Sequence, residues 1–113
     1  SAVGQPVLVP GSMGSNSYIL AGSDKSASLS LSSSCHGAGR AMGRNASSRL
    51  EDWKETERKL QDAGIIIHSS NKKELSEERP EAYKDVLEVV NVIDSFGIAS
   101  IVATLSPLIV IKG

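Results

Sequence analysis

The residues best suited to chemistry lie in one run, Ser34-Cys35-His36-Gly37-Ala38-Gly39-Arg40, continued by Ala41-Met42-Gly43-Arg44. His36 puts an imidazole at the start of a glycine turn, and a neutral imidazole is a competent nucleophile towards phosphorus. Gly37 and Gly39 lack a Cβ, so the backbone there can take positive φ and come close to a ligand. A helix opening at Gly39 or Arg40 would aim free backbone N–H groups and its positive dipole end at the same spot. Arg40 and Arg44 would then share one helix face. An imidazole, bare amides and two guanidiniums make an anion site. The same residues also suit an ordinary turn beside a solvated helix, and spacing alone leaves both readings open.

The elements that must position this run can be read on either side of it. Val7 to Val9, between Pro6 and Pro10, reads as a short buried strand, and Tyr18 to Ala21 as the next one. The polar glycine loop Gly11 to Ser17 joins them as a hairpin, with the hydroxyls of Ser12 and Ser17 near its ends. Neither glycine loop fits GxxxxGK[ST] or GxGxxG, so the common nucleotide fingerprints do not apply. Ser23 to Ser34 is serine-rich and reads as a flexible connector, or as a short strand with Leu29 and Leu31 alternating.

Downstream, Ser48-Arg49-Leu50-Glu51 forms a capping box that opens a helix. Leu50, Trp53, Leu60 and Ala63 would share its buried face, and Gly64 ends it. Ile65 to Ile67 reads as a buried strand ended by a surface His68. Residues 71–80 read as solvated surface with a short helix and a turn. A second capping box, Asp85-Val86-Leu87-Glu88, opens a helix carrying Val86, Val89, Val90, Ile93 and Phe96, which Gly97 ends. Strands over 98–105 and 108–111 follow, joined at Ser106-Pro107, and Lys112 and Gly113 close the chain. This mixed order predicts an α+β fold.

A length of 113 residues suits one domain, 1–113. The formal net charge of −1 gives no global basic footprint for nucleic acid, so any RNA contact must be local, with Arg40, Arg44 and Arg49 at hand. One cysteine rules out a disulfide within the chain and fits a reducing, cytoplasmic setting. Cys35 reads as a packing residue. No apolar run is long enough to span a bilayer. Asn45-Ala46-Ser47 matches a glycosylation sequon but has no signal peptide before it. The chain begins at Ser1 with a loose stretch over 1–5, as a processed, tagged or truncated chain would.

Four separated motifs in one order carry a resemblance: PGSMGSNSYILAG, CHGAGRAMGR, PEAYKDVLEVV and the final VIKG. Together they resemble the C-terminal part of the RtcB family of GTP- and manganese-dependent tRNA-splicing RNA ligases, over about residues 5–113. The resemblance implies a ligase joining RNA 2′,3′-cyclic phosphate or 3′-phosphate ends to 5′-hydroxyl ends. By motif, His36 is the histidine that attacks the α-phosphorus of GTP and carries GMP before it passes to the RNA 3′-phosphate. The implied nucleotide contacts are Pro10, Gly11, Ser12, Met13, Ser17, Gly37, Ala38, Gly39, Arg40 and Lys112, with Tyr83 stacking on the base. Gly43 stands where the family usually has serine, and the serine-rich stretch departs from the family's more acidic and aromatic pattern. The family's manganese ligands lie upstream, and with only His36 and His68 this chain offers no metal site of its own. The implied partners are RNA ends, the upstream part of the ligase and an archease-type activator. A different function remains open on the sequence: a non-catalytic module that holds guanine nucleotide or serves in oligomerisation.

Overall fold

The computed structural model describes residues 4–112. Most of the expected loose start (residues 1–3) and the closing Gly113 lie outside the described residues. Among the described residues, five α-helices, one short 3-10 helix (Pro80–Ala82) and five strands in two small sheets make an α+β fold, as the order of the patterns predicts. The described residues divide into two compact units built from interleaved segments.

The first unit comprises 1–11, 16–38 and 85–105. β1 (Pro6–Val9) pairs antiparallel with β2 (Ser17–Gly22), Val9 opposite Tyr18, as the expected hairpin. β2 pairs on its other edge with β4 (Ala99–Leu105), with a register shift between Ile19 and Leu20. Alternation along the strands turns Val9, Tyr18 and Leu20 to one face, where they pack with Val86, Val90 and Ile93 of α5 (Val86–Ser95) and with Ala99. Asp85 caps α5 where the sequence places the helix start, but through the Leu87 N–H at 2.9 Å rather than the Glu88 N–H that a capping box uses. Gly97 ends the helix at φ +70°, with Ile98 N–H donating back to the Ile93 carbonyl. Phe96, expected in the core, is 65% exposed because it sits past the last helical turn. The serine-rich stretch is neither a strand nor an unstructured connector. It forms the short helix α1 (Lys25–Ser30), with Leu31 and Ser32 left-handed behind it. Ser28 and Ser30 donate their hydroxyls back to the carbonyls of Lys25 and Ser26, a local exchange that competes with strand pairing. Leu29 and Leu31 are left exposed.

The second unit comprises 12–15, 39–84 and 106–113. Its helices are α2 (Arg44–Leu50), α3 (Trp53–Asp62) and α4 (Lys72–Glu77). Its sheet pairs β3 (Ile66–Ser69) parallel with β5 (Ile109–Lys112). β4 and β5 therefore do not pair with each other across Ser106-Pro107 but enter different sheets. Met13, Leu60, Ile65 and Leu75 form the core, with Trp53, Ile67 and Val110 against it. Gly64, at φ +81°, closes α3 with Ile65 N–H on the Leu60 carbonyl.

Three expectations fail in this unit. The box at Ser48 does not open α3: the Ser48 hydroxyl donates to the Asn45 carbonyl inside α2, and Glu51 is taken by Thr56 and Lys59. Helix α3 starts after Asp52 instead, so Leu50 and Ala63 are exposed while Thr56 and Leu60 are buried. Of the three isoleucines, Ile65 is buried but Ile66 is 64% exposed, and His68 lies within the strand rather than ending it. Residues 71–80 do form a helix and turn, yet Leu75, Ser76 and Arg79 are buried, because α4 packs its inner face on α2 and α3.

Candidate functional site

In the first unit the run around His36 is an extended loop. Cys35 and Ala38 lean on the core, the packing role expected for Cys35, and His36 between them is exposed. Gly37 sits at φ +144°, and a Cβ on it would lie 3.1 Å from the Pro10 carbonyl oxygen. The absent side chain thus lets the His36 loop lie against Pro10, bringing the first and second motifs together. Gly11 N–H donates to the Ser17 hydroxyl at 3.1 Å, so Ser17 closes the loop between β1 and β2. His36 stands at the edge of a cavity of about 640 Å³ whose polar lining includes Ser23, Asp24, Ser26 and Ser34. That lining holds no Lys or Arg among the described residues.

The second unit holds the other singled-out residues. Ser12 N–H donates to the Ser15 hydroxyl at 2.7 Å. The Met13 side chain is buried in the core, which leaves only its backbone to meet a ligand. Gly39 has no positive φ, and a Cβ there would meet nothing within 4 Å. The expected helix start at Gly39 or Arg40 is absent: α2 opens at Arg44 behind Gly43. Arg40 is held instead in a bridge to Tyr83, with Lys84 N–H on the Gly39 carbonyl and Ala41 N–H on the Ala82 carbonyl. Those strand-like bonds compete with helical ones, so no helix N-terminus forms beside the glycines and Arg40 and Arg44 share no helix face.

The two arginines meet at Glu78, a residue that sequence reasoning passed over as solvated surface. Arg40 Nη1 and Arg44 Nε each donate to Glu78 Oε1 at 3.1 Å. The Tyr83 hydroxyl donates to the other oxygen, Oε2. Arg40 further donates from Nε to the Met42 carbonyl at 3.0 Å and from Nη2 to the Glu77 carbonyl at 2.6 Å. Its guanidinium lies 5.0 Å from the Tyr83 ring centroid, a cation–π contact. Burial opposes ionisation of Glu78, but hydrogen bonds from Tyr83 and Arg44, with the charges of Arg40 and Lys112, outweigh it and hold the carboxyl below its ordinary range. Burial raises the Tyr83 phenol, and the Glu78 carboxylate raises it further. Lys112 is half-buried at the end of β5, in register with Ser69. No spacing rule singles out Glu78 in the sequence, where it is one of several carboxylates in the charged run 71–80.

A family model described as tRNA-splicing ligase RtcB matches residues 1–113. The chain belongs to the RtcB family. It is 51% identical over 110 residues to a tRNA-splicing ligase RtcB of Nanoarchaeum equitans, covering 97% of this chain and 23% of that protein. It is 44% identical over 111 residues to the one of Pyrococcus horikoshii, with 98% and 13% covered. For that of Archaeoglobus fulgidus the figures are 46% over 111 residues, with 98% and 23% covered. The chain thus spans less than a quarter of the length of these curated RtcB relatives.

Two groups that the RtcB family implies can be set against these residues. For a guanylate, the exposed imidazole of His36 fits as the group that would carry it. For manganese the fit fails, since no three His, Cys, Asp or Glu side chains converge among the described residues. No helix among them is long and apolar enough to cross a membrane.

Proposed function

We propose that this chain is the guanylate-carrying part of an RNA ligase that joins 2′,3′-cyclic phosphate or 3′-phosphate ends to 5′-hydroxyl ends in tRNA splicing or RNA repair. The observation that carries this reading is His36, exposed on a loop whose path depends on a glycine at positive φ, in a chain of the RtcB family. His36 attacks the α-phosphorus of GTP through a neutral ring nitrogen. A P–N bond forms, the bond to the β-phosphate oxygen breaks, and pyrophosphate leaves. The GMP then passes to the RNA 3′-phosphate, and the 5′-hydroxyl displaces it.

Nucleotide contacts are assigned residue by residue from the family motifs. Pro10, Gly11, Ser17, Gly37 and Ala38 serve beside His36. Ser12, Gly39, Arg40, Tyr83, Lys112 and the backbone of Met13 are the further contacts. Manganese is held by residues outside this chain, where it would neutralise the triphosphate as pyrophosphate leaves. The remaining partners are the upstream part of the ligase and an archease-type activator, in the cytoplasm.

The test is incubation of the full ligase polypeptide with radiolabelled GTP and manganese. An acid-labile, base-stable adduct on His36, lost in His36→Ala, is the expected result. A labelled His36→Ala protein overturns the assignment. The 113-residue chain alone is expected to take no label. If it binds GMP yet the full ligase takes no label, the non-catalytic binding module becomes the better reading.

A further inference from the structure

We propose that Glu78 is a positioning residue for the guanylate site, holding Tyr83 and Arg40 in the orientation in which they meet the nucleotide. The proposal rests on the contacts assigned above to those two residues. Glu78 itself lies in none of the four motifs that carry the family resemblance.

The geometry is that of a clamp with one carboxylate at its centre. Oε1 accepts from Arg40 and Arg44, and Oε2 accepts from the Tyr83 hydroxyl, so both oxygens are engaged on the protein's own groups. The Glu78 side chain is only 15% exposed, against 23% for Arg40. A charge-assisted bond between two such shielded groups is stronger than a surface pair. Glu78 is in turn fixed at the end of α4. That helix is anchored by Leu75 in the core and by the buried Ser47 hydroxyl on the Ser76 carbonyl at 2.7 Å. The Tyr83 ring is thus held at its hydroxyl by Glu78 and on one face by Arg40. A ring held before the base arrives loses little freedom on binding, which is the physical gain of preorganisation. Without the carboxylate, Arg40, Arg44 and Lys112 lose the counter-charge they share, and the Tyr83 hydroxyl and Arg40 Nη1 lose the common partner that fixes them together.

The test compares Glu78→Gln with the unaltered full ligase at a temperature where circular dichroism shows both folded. The rate of covalent labelling by radiolabelled GTP is measured against GTP concentration. Half-saturating GTP is expected to rise about tenfold, the effect of one lost charge-assisted hydrogen bond, with the rate at saturation unchanged. In a Tyr83→Leu background the same substitution is expected to add little, because the ring through which Glu78 acts is gone. An unchanged or lower half-saturating GTP overturns the proposal, as does an equal loss in both backgrounds. If the unaltered ligase takes no label, the ligase reading of the chain fails, and ultraviolet titration of the phenols still decides the clamp. There Glu78→Gln must lower the pH at which the Tyr83 hydroxyl ionises, with Tyr83→Phe identifying its signal among the ligase's other phenols. No shift overturns the clamp itself.

Discussion

Gly37 and Gly39 flank Ala38 in one motif, yet the structure separates them sharply. Gly37 sits at φ +144°, and its missing Cβ would lie 3.1 Å from the Pro10 carbonyl oxygen and 3.3 Å from Pro10 Cγ. A side chain in such a glycine-favouring region costs about 1–3 kcal/mol from the backbone alone. The backbone oxygen cannot swing aside as a flexible side chain would, so Gly37→Ala should fall at the upper end, near 3 kcal/mol. With a urea slope of about 2 kcal/mol per molar, the unfolding midpoint should drop by roughly 1.5 M. Gly39 has neither a positive φ nor any neighbour within 4 Å of a built Cβ. Gly39→Ala should therefore be neutral or stabilise by about 0.4–1 kcal/mol, through the reduced freedom of the unfolded chain. The assay is paired urea unfolding, followed by far-UV circular dichroism and by tryptophan emission from Trp53. Equal midpoints for the two variants, or a lower one for Gly39→Ala, would refute the reasoning.

Two further outcomes follow from the second unit. Leu75 is fully buried among Met13, Leu60 and Ile65, so Leu75→Ala should cost about 2–5 kcal/mol in urea unfolding, and a loss below about 1 kcal/mol would mean that the site collapses around the change. Glu78 and Glu51 both have carboxyls held below the ordinary 4.5; such groups stabilise the fold above that pH and lose their contribution as pH falls through the lowered values. The gap in unfolding midpoint between the protein and a Glu51→Gln, Glu78→Gln variant should accordingly be constant above pH 4.5 and close below it. A gap that widens in acid would reverse the sign.

Legibility in the sequence followed the range of the interactions. Helix α5 was readable end to end, because Asp85, Leu87, Ile93 and Gly97 settle its limits by contacts within one helix. The hairpin of β1 and β2 was readable for the same reason. Around Arg40 the local pattern favoured a helix, but bonds to Ala82, Tyr83 and Glu78, some forty residues on, decide otherwise. Ser48 and Glu51 have the spacing of a capping box, yet each finds a different partner once α2 and α3 are formed. Of the site, His36 and its glycine were legible from type and order. Glu78 was not, since a charge run gives no hint of which member a fold will bury.

The interleaving of the two units has a kinetic consequence. β2 ends at Gly22, but its partner β4 begins only at Ala99, and β3 waits for β5 at Ile109–Lys112. A growing chain leaving the ribosome therefore carries two half-built sheets until residues 99–112 emerge. Helices α1 to α4 can form before either late strand, whereas the sheets close only after β4 and β5 have been made. Pairings so distant in sequence are slow to find, and the bare strands waiting for them invite association with other nascent chains. Expression of this segment should thus respond more to chaperone supply and growth temperature than its size alone would suggest.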